Sequence, residues 1–138
     1  MAYVLEVAYR HDQPTTHLRT RAEVNAFVDE LLTLGPEYTA ATAYAIQEGS
    51  ETLPDHELLI GASSRTNVGA VRYSGEEGTW YAKGELTNPN GVVFAYFGSG
   101  QEFPPDAEVP LTVVRAALWG LLAGEGRRPE GLTWVATD

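Results

Sequence analysis

The groups in this chain that could make or break bonds are few, and their spacing argues against an organised reactive centre. Asp55-His56-Glu57 flanks an imidazole with two carboxylates, the composition of a general-base unit. Neighbours in an extended strand point to opposite faces, so only Asp55 and Glu57 would share one. After Pro54 the stretch reads as a solvated strand start. His11 and His17 stand six residues apart in a presumed loop, with Asp12 nearby, and match no metal-ligand spacing. Gly98-Ser99-Gly100 lacks the Gly-x-Ser-x-Gly frame of a nucleophile elbow and precedes a proline-rich segment instead of a helix. Cysteine is absent, which removes disulfides, thiolate zinc sites and cysteine nucleophiles. No phosphate loop and no dinucleotide fingerprint occurs. The expectation is a chain with no metal site and no cofactor.

Recognition chemistry is better represented. The segment from Phe97 to Pro110 reads Phe-Gly-Ser-Gly-Gln-Glu-Phe-Pro-Pro-Asp-Ala-Glu-Val-Pro. Pro104, Pro105 and Pro110 each fix φ and remove an amide donor. Glu102, Asp106 and Glu108 surround Phe103, which reads as an exposed aromatic. Such a segment is expected to present a pre-ordered negative surface with an apolar anchor.

The charge of the whole chain points the same way. Acidic residues outnumber basic ones 19 to 9 in 138 residues, for a formal net charge of −10. A strongly negative chain repels nucleic acid and anionic membranes and steers towards basic partners. Phosphate binding needs clustered Lys or Arg, and only Arg127-Arg128 stand side by side, just before Pro129. The opening stretch carries Glu6 in its middle and reads as a strand, not a leader. The longest apolar run, Ala116 to Gly124, is nine residues and too short to cross a bilayer. The expectation is a cytoplasmic protein that binds neither nucleic acid nor membrane.

The elements that must position these residues are legible from periodicity and turn chemistry. Tyr3 to Tyr9 is β-prone, and a polar connection from Arg10 to Arg19 follows. Thr20 and Glu23 have the spacing of a capping box. Behind them Val24, Phe27, Val28, Leu31 and Leu32 form one apolar helix face, which Gly35-Pro36 is expected to close. The spacing predicts this helix over 21–34. Five strands are predicted next: Ala41 to Gln47, Glu57 to Ser63, Val68 to Tyr73, Thr79 to Lys83 and Val92 to Gly98. Ser74 to Gly78 and Asn88 to Gly91 read as hairpin connections, which makes consecutive strands antiparallel. A second helix is predicted over 111–123, with Pro110 at its first turn and Gly124 at its end. Leu132 to Ala136 is a last short strand. The predicted fold is a single α+β domain over 1–138, an antiparallel meander sheet with two helices packed on one face in a two-layer sandwich. Phe27, Leu31, Val114 and Leu118 are expected between the layers.

Aromatic residues are dense in the last two meander strands, at Trp80, Tyr81, Phe94, Tyr96 and Phe97, and alternate ones are expected in the core. Trp119 lies off the apolar stripe of the second helix, near Arg115, and is expected to be partly exposed. Exposed tryptophan is a favoured anchor of binding surfaces. A rival reading is a small-molecule enzyme or binding protein. It would use a pocket lined by Trp80, Tyr96 and Trp119, with Glu102, Glu108 or His56 as acid or base.

Several short motifs, in order, resemble a known family. They are Pro54-Asp55-His56-Glu57-Leu58, Gly78-Thr79-Trp80-Tyr81, the aromatic strand Val92 to Gly98, Glu102-Phe103-Pro104, Glu108-Val109-Pro110 before an apolar helix, and Leu132-Thr133-Trp134. Together they resemble the first-numbered immunity-protein family of bacterial polymorphic toxin systems, often encoded beside deaminase toxins. The resemblance implies an α+β protein that binds and blocks a cognate toxin without catalysis of its own. Trp80 and Glu108 match tryptophan and glutamate positions characteristic of that family; whether they touch the toxin or hold the fold stays open.

The resulting expectation is an immunity protein that occludes a toxin with a basic cleft, a deaminase or nuclease. Its contact residues are expected to be Glu102, Phe103, Asp106, Glu108, Trp80 and Trp119. The sequence does not indicate an oligomeric state.

Overall fold

The computed structural model describes residues 2–10 and 12–137, so the reading of His11 falls outside the described residues. The chain opens with β1 (Tyr3–Ala8) and a three-residue strand, β2 (Thr16–Leu18), inside what the sequence presents as a polar connection. Helix α1 (Arg21–Leu32) starts on the expected capping box, with the Glu23 amide donating to Thr20 Oγ1 at 3.1 Å and the Thr20 amide donating to Glu23 Oε1 at 3.1 Å. It ends before Gly35. Thr33 closes it by donating its hydroxyl to the Glu30 carbonyl at 2.7 Å.

Four strands then run as an antiparallel meander: β3 (Ala40–Gln47), β4 (Glu57–Ser63), β5 (Val68–Gly75) and β6 (Gly78–Ala82). The predicted fifth strand does not join them. Instead β7 (Val92–Tyr96) pairs with β8 (Ser99–Phe103) in a separate hairpin. Its turn, Phe97-Gly98, has positive φ at both positions (48° and 80°), the handedness a two-residue hairpin loop requires. A two-residue strand, β9 (Val109–Pro110), leads into α2 (Leu111–Ala123), and β10 (Trp134–Thr137) pairs with β6 where the fifth meander strand was expected. The main sheet therefore has the order β10-β6-β5-β4-β3-β1-β2, with β9 attached to β5.

The fold is α+β with a large antiparallel sheet, and both helices pack on one face. Phe27, Leu31, Val114 and Leu118 are all buried there, as expected. The opposite face is covered too. Leu59, Ala70 and Tyr81 meet Val92, Phe94 and Phe103 from the hairpin in a second core. Strand β4 is thus buried on both sides, which explains why Leu58-Leu59-Ile60 is continuously apolar instead of alternating. Gly61 is required at the crossing, because a Cβ there would run into the Phe94 ring. Arg10 holds the hairpin tip, its guanidinium lying over the rings of Tyr38 (5.6 Å) and Phe97 (5.4 Å). No helix among the described residues is long and apolar enough to cross a membrane.

Three phenols are held by internal hydrogen bonds, Tyr44 to Glu57, Tyr73 to the Gly126 carbonyl and Tyr81 to Asp106. Burial, then the hydrogen bond to Glu57, raises the pKa of Tyr44. Burial raises that of Tyr73, and the bond to Asp106, then burial, raises that of Tyr81. A raised phenol favours the folded state below the ordinary value of 10.0, and that contribution is lost as pH rises through the folded values. Tyr44, Tyr73 and Tyr81 are expected to ionise above the ordinary value, in a late rise of phenolate absorbance that accompanies loss of structure. Early titration of all the tyrosines in a folded protein would show the contacts to be absent.

Candidate functional site

The segment expected to form an exposed acidic loop is built into the fold. Phe103 is 5% exposed and meets Phe94 edge-on at 5.9 Å, with Arg72 5.5 Å above its ring. The expectation of an exposed anchor is therefore corrected: a residue two beyond Gln101 on a strand faces the sheet, not solvent. Asp106 accepts the Tyr81 hydroxyl at 2.8 Å, and its carbonyl accepts the Gly84 amide at 2.7 Å, so it clamps the hairpin to the sheet. Glu102 is exposed on β8 opposite Val93, itself 59% exposed. Glu108 is half-buried beside a shallow hollow shared with Arg65 and Val93. It does not cap α2: Pro110 holds the N-cap position, and no side chain bonds to the first amides.

The aromatic pocket imagined from the sequence does not assemble. Tyr96 packs against the hairpin-side core, and Trp119 packs against the helix-side core. Trp119 is half-buried with Arg21 5.3 Å over its ring, which agrees with the partial exposure expected. Neither lines the cleft that holds Trp80.

His56 is also placed differently from expectation. It is 8% exposed, its Nε2 accepts the Ala45 amide at 2.9 Å, and its Nδ1 lies 3.1 Å from Asp55 Oδ1. Because Nε2 accepts, the ring proton sits on Nδ1 and is donated to Asp55. Asp55 precedes β4, so strand alternation does not separate the two side chains. Glu57 turns away to accept the Tyr44 hydroxyl at 2.6 Å. The nitrogen a base would use is therefore committed to the main chain. Gly126 lies against the ring so closely that a Cβ would sit 2.7 Å from it. Replacing His56 by alanine is expected to cost about 1–3 kcal/mol through the orphaned Ala45 amide, read by urea denaturation. An unchanged midpoint would contradict this structural role. His17 lies 3.4 Å from Glu6. No group of three or more His, Asp or Glu among the described residues is placed to hold a metal ion.

The prominent concave site lies at the β6–β10 end of the sheet, a cleft of about 890 Å³. Its floor is aromatic. Tyr73 packs between Trp80 (6.2 Å) and Trp134 (6.5 Å) and stacks on His56 at 13°. Three turns supply its rim. The β5–β6 hairpin has only Glu76-Glu77 between the paired Gly75 and Gly78, so both carboxylates stand at its tip. The loop before β4 supplies Asp55. The third turn follows α2, where the Gly126 amide reaches the Leu121 carbonyl (3.0 Å) and the Glu125 amide reaches that of Leu122 (3.1 Å). This is a Schellman closure with Glu125, at φ 56°, in the left-handed position that usually holds glycine.

The cleft wall is held rigidly. Tyr73 donates its hydroxyl to the Gly126 carbonyl at 2.8 Å, and Trp134 Nε1 donates to the Pro129 carbonyl at 2.7 Å. Five carboxylates (Asp55, Glu76, Glu77, Glu125, Glu130) face two arginines, Arg127 and Arg128. All five acids are exposed. The Arg128 guanidinium lies 4.5 Å from the Trp80 centroid and 5.9 Å from that of Trp134. Of the contact residues expected from the sequence only Trp80 lines this cleft; Asp55, Arg127, Arg128 and Trp134, noted in the sequence for other reasons, line it too, and His56 lies beneath it. Half-buried indoles with an arginine and a charged rim are the composition of a binding surface. Exposed carboxylates retain their hydration and give no buried acid or base.

Comparison with known proteins follows the same direction. The family model described as Immunity protein Imm1 matches residues 12–136. No curated protein matches the chain.

Proposed function

The chain belongs to the Imm1 family of immunity proteins, and from that premise we propose that it neutralises a nucleic-acid-targeting toxin, a deaminase or nuclease, by occluding its basic cleft. Membership makes a cognate toxin its partner. The observation that carries the finer reading is the concentration of five exposed carboxylates around an aromatic-floored cleft in a chain of net charge −10. A toxin that deaminates or cuts nucleic acid needs a positive groove for the phosphate backbone. An acidic surface with indoles at its centre matches both the charge of such a groove and its capacity to stack on flat rings. Charge complementarity also speeds encounter, which matters when free toxin is lethal.

In this reading Trp80 is the central contact. Glu102 and Glu108 add negative potential on the hairpin side, and Trp119 marks a flank outside the cleft. Phe103 and Asp106 serve by holding the hairpin. The protein acts in the cytoplasm, where its target's substrate lies. Because the rim acids are exposed, the cleft is better suited to a protein surface than to small-molecule catalysis.

The test is co-expression with the product of the neighbouring gene and with deaminase and nuclease toxin domains. A stable complex that no longer binds or modifies nucleic acid is the expected result. Absence of a complex, or a complex in which the toxin still engages nucleic acid, would overturn occlusion.

A further inference from the structure

The cleft is occupied on its aromatic side by the chain's own cation. Arg128 lies over Trp80 and Trp134, yet it forms no ion pair among the described residues. Glu76, Glu77, Glu125 and Glu130 likewise form none. One half of a guanidinium site, the ring faces, is filled. The other half, the glutamate carboxylates, holds no ion-paired cation among the described residues.

The backbone around Arg128 is fixed while its side chain is not. The carbonyls of Gly126 and Pro129 are held by Tyr73 and Trp134. Arg128 itself is exposed and, among the described residues, is held by its rings alone. Its side chain can swing into solvent without disturbing the loop or the indoles. A contact of this kind at an exposed site is weak.

We propose that this cleft is the receptor for one arginine side chain of the toxin, which displaces Arg128 from Trp80 and Trp134 and pairs with the acidic rim. The proposal rests on the immunity reading and names what the contact recognises. Arginine fits better than lysine because a planar guanidinium can lie on an indole face while its edge donates two hydrogen bonds to a carboxylate. The incoming arginine gains both halves of the site, whereas Arg128 has only one. Arg128 then acts as a tethered competitor. It shields the indoles in the free protein and lowers the apparent affinity by the fraction of time it occupies them.

The test uses N-acetyl-arginine amide as probe and the indole N–H resonances as readout. Trp80 and Trp134 are expected to shift saturably while Trp119, outside the cleft, serves as the internal control. The uncharged N-acetyl-citrulline amide is expected to shift neither. Arg128→Gln should tighten probe binding by about threefold or more, and Glu76→Gln with Glu77→Gln should weaken it. All three substitutions are at exposed positions, so the test does not depend on a variant that loses its fold. Equal shifts from the citrulline probe, equal response of Trp119, or weaker binding by Arg128→Gln would overturn the proposal.

The same variants in the toxin complex separate this inference from the function it rests on. A toxin complex unaffected by Arg128→Gln and by the glutamate changes leaves immunity standing and removes the arginine receptor. Probe binding with no toxin complex removes the proposed occupant, and the occlusion reading with it.

Discussion

Truncating Trp80 to alanine is expected to weaken the toxin complex by about 2–4 kcal/mol, the range of an interface hot spot, or roughly 30- to 1000-fold in Kd. Trp80 forms the floor of the cleft together with Tyr73 and Trp134, and it carries the Arg128 guanidinium. Because it also packs against the helix-side core, folding stability must be measured by urea denaturation beside binding by calorimetry. Exchange of Glu76, Glu77 and Glu130 for glutamine isolates the charge. This variant should associate more slowly at low salt and lose most of the wild type's salt dependence. A folded Trp80→Ala protein that binds within about threefold of wild type would move the contact away from this cleft.

Leu31→Ala and Leu118→Ala are each expected to cost about 2–5 kcal/mol, as buried leucines do. Both side chains are essentially inaccessible, at 1% and 0% exposure, between the helices and the sheet. A loss of about 3 kcal/mol corresponds to a fall in Tm of roughly 10 °C for a domain of this size. Phe103→Ala belongs with these variants: its burial on the hairpin side predicts a loss of about 3–5 kcal/mol in stability, with no specific effect on toxin dissociation. Thermal and urea melts of the three variants settle the matter. Wild-type stability for Leu118→Ala would mean that the helix-side layer is wrongly assigned.

The parts of this molecule that were legible in the sequence are those fixed by short-range rules. Thr20 and Glu23 announce α1 because both halves of a capping box lie within one turn. The stripe on α2 and the Gly75–Gly78 turn are equally local. The hairpin was missed because its turn, Phe97-Gly98, places an aromatic where asparagine or aspartate normally signals positive φ, and because Ser99-Gly-Gln-Glu has little strand propensity. Phe103 then looked like a loop residue. The displacement of β7 by β10 beside β6 depends on pairing across about fifty residues, which no local pattern reports. His56 looked solvated because the amide it accepts belongs to the neighbouring strand, at Ala45. The cleft draws its rim and floor from separated segments, so its carboxylates show no common spacing. Trp80, Trp134 and Asp55 each fall in a motif of the family resemblance, but nothing in those separate motifs says that the three meet.

Glu125 carries a conformational cost. A non-glycine residue at φ 56° in a Schellman closure gives up about 1 kcal/mol that glycine would recover. Glu125→Gly is therefore expected to raise Tm by roughly 3–4 °C, an improvement one codon away that natural sequence has not taken. The same change removes a rim carboxylate. If the rim matters, the stabilised variant should be the poorer antidote, protecting cells less against the toxin while resisting heat better. Should Glu125→Gly gain stability and keep full protection, the left-handed glutamate would be historical accident, and this corner of the cleft would be free for engineering.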